Sequence, residues 1–124
     1  MKKTVLICDD EIHILESVSY VIKSAGYPIL TADNGSEALR LAQAEHPALM
    51  ILDVMLPWLS GFEVCARLKK DPATSDIHII LLTARGQQTE EDEGFRCGAD
   101  DYMTKPFSPR KLRQRVEEVL EGSA

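Results

Sequence analysis

The chain has 124 residues, 44% of them hydrophobic and 27% charged, with 20 acidic and 14 basic side chains and a formal net charge of −6. That length suits one domain with a real core, the composition is that of a soluble globular protein, and the acidic excess argues against broad nucleic-acid or anionic-membrane binding. Met1-Lys2-Lys3 imitates the start of an export signal, but the apolar stretch before Asp9-Asp10-Glu11 is too short to complete one. No segment is long enough to span a bilayer, so a cytoplasmic protein without membrane insertion is expected.

The first predicted strand is Thr4-Val5-Leu6-Ile7-Cys8, which stops abruptly at Asp9-Asp10. Ile12, Leu15, Val18, Ser19 and Ile22 then fall at helical spacing, and Gly26 supplies a stop. Tyr27-Pro28-Ile29-Leu30-Thr31-Ala32 reads as an edge strand, because its proline lacks an amide donor. The Asp33-Asn34-Gly35-Ser36 turn opens a helix bearing Ala38, Leu39, Leu41 and Ala42, which ends near His46-Pro47. Leu49-Met50-Ile51-Leu52 forms the third strand, followed at once by Asp53.

After the loop from Leu56 to Gly61, Phe62, Val64, Cys65 and Leu68 mark a third helix that Asp71-Pro72 punctuates. The fourth strand is expected from Ile77 to Leu82, ending at Thr83, and the fifth around Asp101-Tyr102-Met103-Thr104, ending at Lys105. Between them lies a weak fourth helix over about residues 89–97, interrupted by Gly94, whose glycine costs roughly 1 kcal/mol. Ser108-Pro109 opens a fifth helix with Leu112, Val116, Val119 and Leu120 on one face. Continuous apolar strands alternating with helices predict right-handed crossovers and a doubly wound α/β three-layer sandwich around a five-stranded parallel sheet.

Ligands of such sheets bind beyond the carboxyl ends of the strands. Asp9, Asp10, Asp53, Thr83 and Lys105 all occupy such ends. Two ionised carboxylates about 5 Å apart repel by roughly 3 kcal/mol at an effective dielectric near 20, a penalty that a bound cation removes. All-oxygen ligands favour Mg²⁺, Mn²⁺ or Ca²⁺, and few carboxylates with open coordination sites favour Mg²⁺ partnered by a phosphoryl group. Lysine and threonine supply donors to phosphoryl oxygens, and a carboxylate can itself attack phosphorus. No glycine-rich phosphate loop follows the first strand, which weighs against a nucleotide binder or small hydrolase on this architecture.

Asp9-Asp10, Asp53 with Leu56-Pro57 and Gly61, Thr83-Ala84, and Gly98-Ala99-Asp100-Asp101-Tyr102 running into Lys105-Pro106-Phe107 together resemble the receiver domain of two-component response regulators, over essentially the whole chain. The resemblance implies a single receiver domain over residues 1–124 with strand order 2-1-3-4-5. It implies Asp53 as phosphoacceptor, and Mg²⁺ (or Mn²⁺) held by Asp9, Asp10, Asp53 and the backbone carbonyl of Met55. Lys105 and Ala84 would contact the phosphoryl group, Thr83 would shift to hydrogen-bond it, and Tyr102 would turn inward in response. The phosphoryl would come from a sensor histidine kinase or a small acyl phosphate, and the surface of the fourth helix, fifth strand and fifth helix would report it to an output domain or partner. On that basis the chain is not an enzyme beyond assisting its own modification. The competing reading is a phosphorylation-independent interaction module, disfavoured because no acid, lysine or threonine of the pattern is missing.

The Met55-Leu56-Pro57, Thr83-Ala84-Arg85-Gly86 and Lys105-Pro106-Phe107-Ser108-Pro109 segments are most similar to receivers attached to winged-helix DNA-binding domains. Those receivers dimerise through the same reporting surface. Glu91 and Lys111 reverse the usual charge polarity there, and a homodimer with swapped charges is expected. Trp58 departs from the family, whose loop is usually small or polar at this place; taken alone it reads as a loop aromatic packed for stability. Cys8, Cys65 and Cys97 share no metal-ligand or disulfide spacing and read as reduced thiols, Cys97 the more exposed. His13, His46 and His78 read as solvated side chains without partners.

Overall fold

The computed structural model describes residues 3–84 and 97–122. It contains β1 (Val5–Cys8), α1 (Ile12–Ser24), β2 (Ile29–Ala32), α2 (Gly35–Glu45), β3 (Leu49–Asp53), α3 (Gly61–Lys70), β4 (His78–Ala84), β5 (Asp101–Lys105) and a C-terminal helix α4 (Pro109–Glu121). The strands form one parallel sheet of order β2-β1-β3-β4-β5, as the resemblance implies. The helix expected over about residues 89–97 lies outside the described residues except for Cys97.

Alternate strand residues feed two separate cores. Leu6, Cys8, Met50, Leu52, Ile79 and Leu81 pack against α2 and α3, whereas Val5, Ile7, Leu49, Ile51, Ile80 and Leu82 pack against α1 and α4. The period of two in a strand thus appears as two apolar layers, which explains why the central strands carry no polar alternation. β2 lies at the sheet edge, and its start is later than expected: Tyr27 and Pro28 precede the ladder, with the Pro28 carbonyl accepting from the Val5 amide at 3.0 Å.

The helix starts follow local chemistry. Asn34 accepts from the Glu37 amide, Ser60 from the Glu63 amide and Ser108 from the Lys111 amide, each serving as an N-cap. α1 lacks a side-chain cap of its own; instead Asp9 Oδ1 accepts from the Glu11 amide at 2.9 Å just before its first turn. β4 runs through Thr83 to Ala84 rather than stopping at Leu82, because Thr83 and Ala84 still pair with Thr104 and Lys105. At its other end Ile77 is excluded, its amide closing a turn onto the Thr74 carbonyl at 3.1 Å.

Three expectations are corrected. Cys97 is buried at 9% exposure, its carbonyl accepting from the Cys65 thiol at 3.6 Å, because the chain entering β5 lies against α3. His46 and His78 are not solitary: His46 Nε2 lies 2.9 Å from Asp76 and His78 Nε2 lies 2.8 Å from Asp101, acids placed by the neighbouring strand starts. Trp58 is 82% exposed rather than packed.

Candidate functional site

The register brings the expected residues together. Cys8 pairs with Leu52 and Asp53 with Leu82, so β1, β3 and β4 end side by side, and Lys105 closes the row from β5. β1 is also where the order reverses, since β2 lies on one side of it and β3 on the other. Asp9, Asp10 and Asp53 each bring a carboxylate oxygen within 4.8 Å of the others. Asp9 and Asp53 are buried and Asp10 is exposed, so the cluster opens to solvent on one side.

Lys105 is the cation of the cluster. Its Nζ lies 3.1 Å from Asp9 Oδ2 and 3.2 Å from Asp53 Oδ1. Burial disfavours its charge, but the two acids more than compensate and hold the ammonium above the ordinary lysine range. Asp53 goes the other way: burial first, then the Asp9 charge, push its carboxyl up to about 6 against the pull of Lys105 and the Met55 amide. One lysine therefore does not neutralise the acids around it.

Among the described residues, two buried side-chain polar atoms have no hydrogen-bond partner, Asp9 Oδ2 and Thr83 Oγ1. The first is ion-paired with Lys105 Nζ at 3.1 Å, which leaves the Thr83 hydroxyl as the one without a charged neighbour of its own. Such atoms are uncommon in folded proteins and mark places completed by something else. Three clustered carboxylates that share one lysine, and an all-oxygen donor set, fit a hard divalent cation.

The loop after β3 is held close to the site. Met55 donates its amide to Asp53 Oδ1 at 3.2 Å, and the loop returns at Gly61, where a Cβ would lie 2.3 Å from the Asp53 carbonyl oxygen. Gly61 is thus required by close approach, not by turn geometry. Gly35, the first residue of α2, is a positioning residue that the sequence reading left as part of a turn. Its Cβ would meet the Leu59 carbonyl oxygen at 1.8 Å, and its amide donates to Pro57 at 3.2 Å. Only the contact with the loop before α3, distant in sequence but on the same face of the sheet, reveals it. Tyr102 is half-buried beside the α2/α3 core. Ala84 ends β4, and Glu91, one half of the expected charge swap, lies outside the described residues.

With this geometry in place, the comparisons identify the class. The sequence matches the response regulator receiver domain over residues 5–117. The chain belongs to that family of two-component regulatory proteins. It is 44% identical over 123 residues to the alkaline phosphatase synthesis transcriptional regulatory protein PhoP of Bacillus subtilis, covering 99% of this chain and 50% of that protein. It is 48% identical over 118 residues to the phosphate regulon transcriptional regulatory protein PhoB of Pseudomonas aeruginosa, covering 95% and 52%. The chain thus spans about half the length of these curated relatives. Among solved structures, the receiver domain of the sensor histidine kinase PA1611 from Pseudomonas aeruginosa, with a magnesium ion coordinated in its active site cleft, superposes with a TM-score of 0.88 at 25% identity, covering 99% of this chain and 100% of that one.

Proposed function

We propose that the chain is a phosphoacceptor switch, in which Asp53 receives a phosphoryl group from the phosphohistidine of a sensor kinase. The observation that carries the reading is the pairing of Asp53 with Lys105 at 3.2 Å beside an unsatisfied Thr83 hydroxyl. An acceptor, a cation for the transferred charge and a free donor stand together where a phosphoryl would arrive. An Asp53 carboxylate oxygen attacks phosphorus as the bond to the donor nitrogen breaks, and the chain supplies position and charge rather than a covalent catalyst.

Asp9, Asp10, Asp53 and the Met55 carbonyl would hold Mg²⁺ or Mn²⁺, consistent with the magnesium in the related PA1611 receiver. The bound ion would supply Lewis-acid stabilisation of the phosphoryl oxygens and offset the repulsion among the carboxylates. Lys105 offers its ammonium to one phosphoryl oxygen, Thr83 its hydroxyl to another, and the Ala84 backbone lies next along β4. Drawing the Thr83 side chain toward Asp53 opens space beside Tyr102, whose inward turn alters the β5/α4 surface read by an output domain, a kinase or a second copy. Among the described residues no helix is long and apolar enough to cross a membrane.

Incubation with acetyl phosphate and Mg²⁺, followed by intact-mass measurement, should add one phosphoryl to the wild type and none to Asp53→Ala. Repeating the assay with a phosphorylated histidine kinase covers the case of a domain that refuses small donors. No added mass from either donor sinks the proposal in favour of a phosphorylation-independent interaction module.

A further inference from the structure

The loop between Asp53 and α3 is bound at its start, its middle and its close, and the middle contact belongs to another helix. At the start the Val54 amide donates to the Leu82 carbonyl at 3.2 Å, and at the close the Gly61 amide donates back to the Val54 carbonyl at 3.1 Å. The middle, where Pro57 and Trp58 stand exposed, is reached by α2 through the Gly35 amide, which donates to the Pro57 carbonyl at 3.2 Å. A Cβ on Gly35 would lie 1.8 Å from the Leu59 carbonyl oxygen and 2.6 Å from its carbon. Backbone, not the far end of a flexible side chain, would have to yield.

The loop's strain sits at the same place. Trp58 is held at a φ of 71°, in the left-handed region where a bulky side chain is an outlier. The Leu59 amide donates to the Pro57 carbonyl at 2.8 Å, so Trp58 is the central residue of a γ-turn of the rare, strained kind. Such conformations persist where the surroundings over-determine them. Here the Pro57 carbonyl takes one bond from inside the turn and one from α2, and the turn is braced.

The other side of the loop touches the acidic cluster. The Met55 amide donates to Asp53 Oδ1 at 3.2 Å, the oxygen that Lys105 also approaches at 3.2 Å. The Met55 side chain is exposed and anchors nothing. Its successors do the anchoring, Leu56 by burial in the core that α2 and α3 share and Pro57 by its bond to Gly35. The carboxylate that joins Asp9 and Asp10 is thus aimed by a peptide whose place depends on α2.

We infer that the amino end of α2 is a positioning element of the acidic site: by bracing Pro57, Gly35 keeps the Met55 amide on Asp53 and so sets how tightly the three carboxylates hold a divalent cation. This rests on the metal reading of the cluster and adds a residue that touches none of its ligands. Groups that orient a metal's ligands commonly cost about 10- to 100-fold in affinity when lost. The coupling is reciprocal, so a bound cation tightens the brace by as much as the brace tightens the cation.

Calorimetric titration with Mg²⁺ and amide hydrogen exchange, both on the whole chain, provide the test. Gly35→Ala should weaken Mg²⁺ binding by about 10-fold or more. Should that variant fail to fold, Asn34→Ala decides, because it removes the side-chain cap on the Glu37 amide at the start of α2 without any overlap; a loss of about threefold is expected. Thr74→Ala is the control for general destabilisation. It deletes a buried hydroxyl's bond to the Leu68 carbonyl at the opposite edge of the sheet, and should lower the melting temperature while holding affinity within about twofold. In the wild type, Mg²⁺ should slow exchange of the Gly35 amide and leave that of Ala73, bonded to Asp71 at the far edge, unchanged. Unaltered affinity in the α2 variants, a loss shared by Thr74→Ala, or Gly35 exchange indifferent to Mg²⁺ would overturn the inference and leave Gly35 a packing glycine. A wild type that binds no Mg²⁺ removes the metal reading itself, a distinct result.

Discussion

The two ends of the sheet hold the same number of key aspartates and treat them in opposite ways. At the amino ends of the strands, Asp76 meets His46, Asp100 meets Lys69, and Asp101 meets both His78 and Arg115. At the carboxyl ends, Asp9, Asp10 and Asp53 crowd together, and Lys105 is shared by two of them. Asp100 shows the contrast most clearly. Burial works against its charge, yet the Lys69 ammonium at 2.8 Å and the Ile79 amide at 2.9 Å hold its carboxyl below the usual range, whereas Asp53 is pushed up to about 6. A satisfied acid strengthens the fold, and an unsatisfied one is a vacancy that chemistry can fill.

Chelation should show the difference most strongly. Mg²⁺ at about 100 times its dissociation constant should stabilise the wild type by about 3 kcal/mol, roughly 10 °C in melting temperature, relative to protein in EDTA. Asp10→Asn, which removes an exposed acid of the cluster, should shrink that rise; an undiminished rise would place the ion elsewhere. Next in size, Asp100→Ala strands the Lys69 ammonium and the Ile79 amide and should cost about 2 kcal/mol in urea denaturation, with or without metal.

Asp53→Asn should act in the other direction, raising the stability of the metal-free protein by about 1 kcal/mol at pH 7.5. The sign follows from linkage. A carboxyl whose folded pKa is raised contributes stability that is fully present below its unfolded value near 4 and lost as pH rises through about 6. The advantage of Asp53→Asn should therefore fade on acidification from pH 7 to pH 4, and a constant advantage would show that Asp53 is not strained in the free protein. Asp100 has the opposite sign, its contribution present above the ordinary carboxyl pKa and lost as pH falls through its depressed one. The smallest effect is optical: Trp58 emission should change when Mg²⁺ or beryllofluoride binds, and unchanged emission with binding verified by calorimetry would mean that its turn does not sense the pocket.

The crowded end was far more legible in the sequence than the satisfied one. Apolar strands broken by Asp9-Asp10, Asp53, Thr83 and Lys105 announce both the sheet and the edge at which chemistry sits, because each signal is local to a strand end. The partners of His46, His78 and Asp100 come from a turn, a strand and a helix distant in sequence, and no spacing rule links them. Gly35 was hidden for the same reason, since its requirement arises from Leu59, distant in sequence in the loop before α3. The exposure of Trp58 was equally unreadable, because the hydrophobic character of an indole argues for burial and only the braced turn places it in water. The burial of Cys97 depended on how closely the chain entering β5 lies on α3.

β5 is gripped by charge at both of its ends, at Asp101 by His78 and Arg115 and at Lys105 by Asp9 and Asp53. Asp9 directly follows β1 and Asp53 ends β3, and β4 stands between those two strands and β5. The outermost strand on this side is therefore held by a tether that reaches over its immediate neighbour. Any change in the charge of Asp53 alters the tension on that tether directly, and the sheet's edge feels an event in its centre without β4 having to move.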